Sequence, residues 1–132
     1  MKKISLDSNA YTFYIKGYSI IEKELERADK VYISTIVLGE LLAAFKKGKK
    51  EKESLKFLEK FLSKLTVEIL PVSRETAEIY GQIKSLLDKQ GTPIPSNDLW
   101  IAANAIETGS VLLTYDKHFL EVPGLRLWNK LN

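Results

Sequence analysis

Four acidic residues carry the chemistry open to this sequence: Asp7, Glu40, Asp98 and Asp116. Taken one at a time, three of them have ordinary explanations. Asp98 falls in the first turn of an expected helix, where the macrodipole favours a carboxylate. Asp7 and Asp116 each follow a short strand-like stretch, and aspartate is a good turn or cap residue. Glu40 is harder to place. It is the only charge between Ser34 and Lys46, in the run Ile36-Val-Leu-Gly-Glu-Leu-Leu-Ala-Ala-Phe45. At ~100° per residue it lies between Val37 and Leu41, on or beside the buried stripe of a helix. A carboxylate there costs several kcal/mol unless it is paired or bound to a metal; the plain alternative is a half-exposed Glu with a local partner. If the four acids share one site they repel one another, and without a cation some must be protonated. A divalent ion removes the conflict. Such an ion lowers the pKa of a bound water and stabilises charge on a phosphate, so the natural chemistry is metal-assisted phosphodiester hydrolysis.

The elements that would gather them can be read along the chain. Lys3 to Asp7 alternates as a strand. Helical pieces are predicted over Ala10 to Ile15 and Ser19 to Arg27. Val31 to Ile33 is a second strand, and Ser34 or Thr35 caps a helix running to about Lys47. After a break at Gly48, Leu55, Leu58, Phe61, Leu62 and Leu65 mark an amphipathic helix. Val67 to Leu70 is a third strand, stopped by Pro71. Ser73 caps a long helix to about Lys89, with Ala77, Ile79, Tyr80, Ile83, Leu86 and Leu87 inward. Pro93 and Pro95 then interrupt the chain, Ser96 or Asn97 caps the next helix, and Gly109 ends it. That helix shows an apolar face of Leu99, Ala102, Ala103 and Ile106. Val111 to Thr114 is an apolar strand, as expected when both faces of a sheet are covered. A short helical turn and Pro123-Gly124 lead to a last strand, Leu125 to Trp128.

Strands alternating with helices predict an α/β fold with a mainly parallel central sheet of four to five strands. Parallel strands put their C-terminal ends on one edge, where ligands bind. Asp7 and Asp116 follow strand ends, Glu40 lies on the helix leaving the second strand, and Asp98 lies at a helix start that can face the same edge.

Composition narrows the remaining choices. A length of 132 residues fits one domain, 1–132. No apolar run approaches the ~20 residues that span a membrane. Met1 to Asp7 has no apolar signal segment, and there is no cysteine, so a cytoplasmic protein without disulfides or thiolate metal sites is expected. The single histidine, His118, excludes a multi-histidine zinc site; metal ligands would be oxygens, which points to Mg²⁺ or Mn²⁺. Asp7-Ser8-Asn9 lacks the second aspartate of haloacid-dehalogenase-type phosphatases. No acidic pair precedes Asp7, as a response-regulator receiver would require. Nucleotide-binding glycine loops and a serine or cysteine triad are also missing.

The ordered set Leu6-Asp7-Ser8-Asn9, Ser34 to Glu40 with Leu41, Asp98-Leu-Trp-Ile-Ala-Ala103, and Leu113-Thr114-Tyr115-Asp116 with Phe119 resembles a PIN domain. Within that family it is most similar to the small VapC-type toxins, and the likeness spans almost the whole chain. The resemblance implies a three-layer α/β/α fold and a Mg²⁺-dependent endoribonuclease, with Mn²⁺ as the alternative ion. It implies that Asp7, Glu40, Asp98 and Asp116 form the metal site, supported by Asn9, Thr114 and Ser8. It further implies a homodimer and a small cognate antitoxin that places a C-terminal segment in or near the active site. Lys117-His118-Phe119 departs from the commoner acidic residue before that phenylalanine; His118 is expected to be a surface loop residue.

An RNA backbone also needs cations. Lys46 to Lys64 holds eight lysines against three glutamates, and Lys46, Lys47, Lys49 and Lys50 are the expected phosphate contacts, on charge alone. A PIN-domain RNA-processing nuclease without an antitoxin and a non-catalytic PIN-like binding module are the competing readings. Retention of all four acids argues against the latter.

Overall fold

The computed structural model describes residues 1–128 and residue 130. Five strands, β1 (Lys3–Leu6), β2 (Lys30–Ser34), β3 (Val67–Leu70), β4 (Val111–Leu113) and β5 (Arg126–Leu127), form one sheet in the order β3-β2-β1-β4-β5. Every pairing is parallel, with Leu6 opposite both Ile33 and Leu113. The inner strands are apolar because helices cover both faces: Ile4, Leu6, Val31, Ile33, Leu112 and Leu113 are all buried.

The helices are α1 (Ser8–Ile15), α2 (Ser19–Arg27), α3 (Thr35–Lys47), α4 (Glu51–Leu62), α5 (Arg74–Gln90) and α6 (Ser96–Thr108). A 3₁₀ segment, Lys117–Glu121, follows β4. The crossovers from β1 to β2 and β2 to β3 lead one way across the sheet, and that from β3 to β4 leads back past β1, so connections of the one hand that parallel strands favour put helices on opposite faces. Tyr11 of α1 meets Phe61 of α4 edge to face on one side; Tyr80 of α5 stacks on Trp100 of α6 at 4.0 Å on the other. The result is a three-layer α/β/α architecture.

Local chemistry sets most boundaries. Asp7 caps α1 and Ser34 caps α3 through their side chains. Ser73 and Thr76 close a capping box on α5. Gly91 and Gly109 end α5 and α6 in the left-handed conformation that a glycine adopts without Cβ strain. Three details depart from the sequence reading. The first helix begins at Ser8, two residues early, so Asp7 is its cap and Asn9 lies inside it. Neither Ser96 nor Asn97 caps α6: Pro95 occupies that position with no side-chain bond. Leu65 lies beyond the end of α4 and is 100% exposed, while Ala77 and Leu86 sit on the outer side of α5.

Candidate active site

The strand order fixes where a site can form. The chain moves from β1 toward β3 and then returns to β4 on the other side of β1. The connections leaving β1 and β4 therefore diverge, and a crevice opens beyond their C-terminal ends. Asp7 follows β1, and Thr114, Tyr115 and Asp116 follow β4. The β4 loop is pinned by aromatic contacts: Tyr115 meets Phe13 edge to face at 4.9 Å and Trp128 at 5.6 Å, and Phe119 is buried just beyond.

Asp7 is the most enclosed acid, 4% exposed. Its Oδ1 accepts from the Ala10 N–H at 2.8 Å, and its Oδ2 accepts from the Thr114 hydroxyl. That hydroxyl in turn accepts the Asp116 N–H at 2.9 Å, so one threonine joins the two strand ends. Burial pushes the Asp7 carboxyl up to about 6; its two hydrogen bonds pull against this, and the neighbouring Asp116 and Asp98 add to the rise. Asp98, half-buried in the first turn of α6, is also raised. Burial is again the main cause, with Asp116 and Glu40 reinforcing it and His118 opposing it. These mutual influences place the four acids in one electrostatic neighbourhood.

Glu40 reaches the same crevice from α3. Its Oε1 accepts from the Ser8 hydroxyl at 3.0 Å and its Oε2 from the Asn97 amide at 3.5 Å. Asn97, expected as a helix cap, instead bridges α6 to α3. Asp116 caps the 3₁₀ segment, accepting from the His118 N–H at 2.9 Å.

His118 is the participant that sequence reading left outside. It is a surface residue, as expected, but its Nδ1 lies 3.1 Å from Asp98 Oδ2 and 3.2 Å from Asp116 Oδ1. Asp98, Asp116 and His118 each offer a ligand atom, all within 4.8 Å of one another. Asp7 and Glu40 stand beside this group, with their oxygens already accepting hydrogen bonds. The only signal in the sequence was the position of His118 two residues after Asp116.

Not every expected residue converges. Asn9 is exposed on α1, and among the described residues its side chain hydrogen-bonds to none of the acids. Lys46 and Lys47 close α3, and Lys49 and Lys50 form the turn into α4. Lys46 pairs with Glu51 at 3.1 Å, and none of the four touches an acid of the crevice among the described residues. Along α3, Lys46 is about 9 Å beyond Glu40 at the usual helical rise.

The donor set suits a divalent cation. Several carboxylates share one crevice, and two have raised pKa values because burial, and then like charges, oppose ionisation. Oxygen-rich sites of this kind favour Mg²⁺ or Mn²⁺.

This arrangement, a parallel sheet with carboxylates gathered beyond its central strands, defines a class. The PIN domain profile matches residues 5–125, and the chain belongs to that family. Within the family its relatives are VapC proteins. It is 37% identical over 109 residues to Ribonuclease VapC2 of Rickettsia felis, covering 80% of each chain. It is 33% identical to the tRNA(fMet)-specific endonuclease VapC of Salmonella typhimurium, covering 96% of this chain and 97% of that one. The crystal structure of VapBC2 from Rickettsia felis bound to a promoter DNA fragment superposes with a TM-score of 0.86 at 31% identity, covering 96% and 97% of the two chains. Among the described residues no helix is long and apolar enough to cross a membrane.

Proposed function

We propose that this chain is a divalent-metal-dependent endoribonuclease and the toxin of a toxin–antitoxin pair. The observation that carries the reading is the gathering of Asp7, Glu40, Asp98 and Asp116 at the C-terminal edge of β1 and β4, where burial and then neighbouring acids raise the Asp7 and Asp98 pKa values. Asp98 and Asp116 would hold the ion most directly, with Asp7 and Glu40 completing its surroundings. A bound Mg²⁺ or Mn²⁺ supplies a water acidic enough to attack at neutral pH and a positive charge against the phosphate.

The rest of the work falls to the chain. Thr114 and the Ala10 N–H hold the Asp7 carboxylate in one orientation, and Ser8 and Asn97 do the same for Glu40. Both sets of bonds fix acceptors before substrate arrives, so little reorganisation is needed. None of the four acids can attract an RNA backbone. Lys46, Lys47, Lys49 and Lys50 remain the proposed phosphate contacts, reaching an RNA long enough to extend past α3.

The partner reading draws on the named complexes of relatives with their antitoxins and on a groove of about 640 Å³ between α1, α2 and α4. Phe57, 46% exposed, and Ile15 border that groove beside Glu22, Glu26, Lys60 and Lys64, and a mixed apolar and charged surface of this sort suits a partner segment. A homodimer is part of the same proposal.

The test is cleavage of a mixed RNA pool, tRNA(fMet) included, with Mg²⁺, Mn²⁺ or EDTA, beside Asp98→Asn. Divalent-dependent cutting that the variant loses supports the reading. A folded protein that binds no divalent ion and cuts nothing would favour a binding module.

A further inference from the structure

The tightest ligand group in the crevice contains a nitrogen. Of the atoms that meet within 4.8 Å, two are carboxylate oxygens, on Asp98 and Asp116, and one is the imidazole of His118. The Nδ1 separations of 3.1 and 3.2 Å from those oxygens match an octahedral edge, which is about 3 Å for ligands 2.1 Å from a metal. Both oxygens of Asp7 and both of Glu40 accept hydrogen bonds from other parts of the protein, whereas among the described residues Asp98 Oδ2 and Asp116 Oδ1 are engaged by His118 alone.

The imidazole is held there by structure. Asp116 accepts the His118 backbone N–H at 2.9 Å, and the next side chain, Phe119, is anchored in the core at 1% exposure. The ring itself remains accessible, with 54% of its side chain exposed, so an ion can enter and leave past it.

We propose that His118 is a direct nitrogen ligand of the divalent ion and shifts the selectivity of this site from Mg²⁺ toward Mn²⁺. Mg²⁺ keeps an all-oxygen shell and dehydrates reluctantly, so a nitrogen in place of a water gains it little. A first-row transition ion gains more from imidazole, and Mn²⁺ is the member of that series best suited to carboxylates. The inference rests on the metal-dependent reading of the same crevice.

His118 is the only histidine in the chain, which makes the test direct. Metal-free full-length protein, with any affinity tag removed, is titrated with Mn²⁺ and separately with Mg²⁺ by calorimetry. The Mn²⁺ complex is then examined by pulsed electron paramagnetic resonance for ¹⁴N coupling. Wild type is expected to show directly coordinated nitrogen, and His118→Ala to lose it. Mn²⁺ affinity is expected to fall about tenfold in the variant, with Mg²⁺ affinity changing less than about twofold. His118→Gln, which keeps a polar side chain of similar reach, should behave as the alanine variant does. Bound Mn²⁺ without nitrogen coupling, and with an unchanged Mn²⁺ to Mg²⁺ ratio in both variants, overturns the proposal and leaves the nuclease reading standing. No Mn²⁺ binding by the folded wild type overturns both.

Discussion

Two polar clusters in this molecule look alike in composition and behave differently. One joins α5 to α6, where Glu107 accepts from the Thr76 hydroxyl at 2.5 Å and from Ser73 and Asn104 at 3.4 Å. Thr76 and Asn104 are both buried. Its carboxylate faces neutral donors and no other acid. The other is the crevice beyond β1 and β4, where Asp7, Glu40, Asp98 and Asp116 share one neighbourhood and their carboxylate oxygens outnumber the donors that reach them. In the first cluster the Thr76, Ser73 and Asn104 donors all reach an acceptor and hold two helices in register, with only the Asn104 Oδ1 left without a partner among the described residues. In the second they leave acceptor capacity unused, at a cost in stability that a metal ion would relieve. A buried carboxylate is therefore informative through what surrounds it: donors mark a structural role, and other carboxylates mark a site.

The sharpest way to break this contrast is to remove charge from the crevice. Asp7→Asn and Asp98→Asn should each lower RNA cleavage by about a hundredfold or more, since both lie where a metal and its water must be held. Single-turnover cleavage assays check this. If both variants cut normally, the crevice is no more catalytic than the α5–α6 cluster.

The stability of the same variants should move the other way. In the folded protein Asp7 titrates near 6, against 3.8 for the free group. Between those values the folded state binds more protons than the unfolded one, so stability contributed by this residue rises as pH falls from 6 toward 4. Above pH 6 the full penalty applies. A shift of this size corresponds to about 3 kcal/mol, from which the disturbed bond to Thr114 subtracts about 1. Asp7→Asn should then be more stable than wild type by about 2 kcal/mol at pH 7 in EDTA, and should lose that advantage by pH 4. Urea unfolding at the two pH values measures it.

The α5–α6 cluster predicts the opposite sign. Thr76→Ala should destabilise by about 2 kcal/mol, by leaving Glu107 and Asn104 short of a partner and opening the capping box of α5. Mn²⁺ affinity, measured alongside, should be unchanged. A loss of metal binding in this variant would mean that the two clusters are coupled through α6.

Metal addition should separate the clusters once more. Mn²⁺ at about a hundred times its Kd should stabilise wild type by about 2.7 kcal/mol, and Thr76→Ala by the same amount from its lower baseline. Asp98→Asn should gain little. The smallest effect is expected for Ser8→Ala. That change removes one donor to Glu40 at a half-exposed position and should cost about threefold in cleavage, with stability within about 1 kcal/mol of wild type.

Much of this was legible in the residues alone. Helical and strand periodicity, the Ser34 and Ser73 caps, and the glycines at 91 and 109 are local signals, and the elements appear where those signals put them. The parallel sheet and the edge that carries the acids follow from strand–helix alternation. Glu40 stood out because an acid within an apolar helical run needs a reason. The particular contacts were not legible, because each depends on residues far apart in the chain. Thr114 reaches Asp7 across 107 positions, and Asn97 reaches Glu40 across 57. Asn97 looked like a cap because cap and bridge use the same amide, and only the placement of α3 against α6 decides between them. Asn9 was expected to support the site ahead of Ser8, but the start of α1 at Ser8 left Asn9 exposed and brought Ser8 to Glu40. His118 looked like a loop residue, and only the return of the chain to β4, beside β1, brings it against Asp98 on α6. Sequence determined which chemistry was available, because side-chain type and local period are carried by neighbouring residues. Tertiary structure decided which groups share a site, because strand order and helix packing alone set distances between residues remote in sequence.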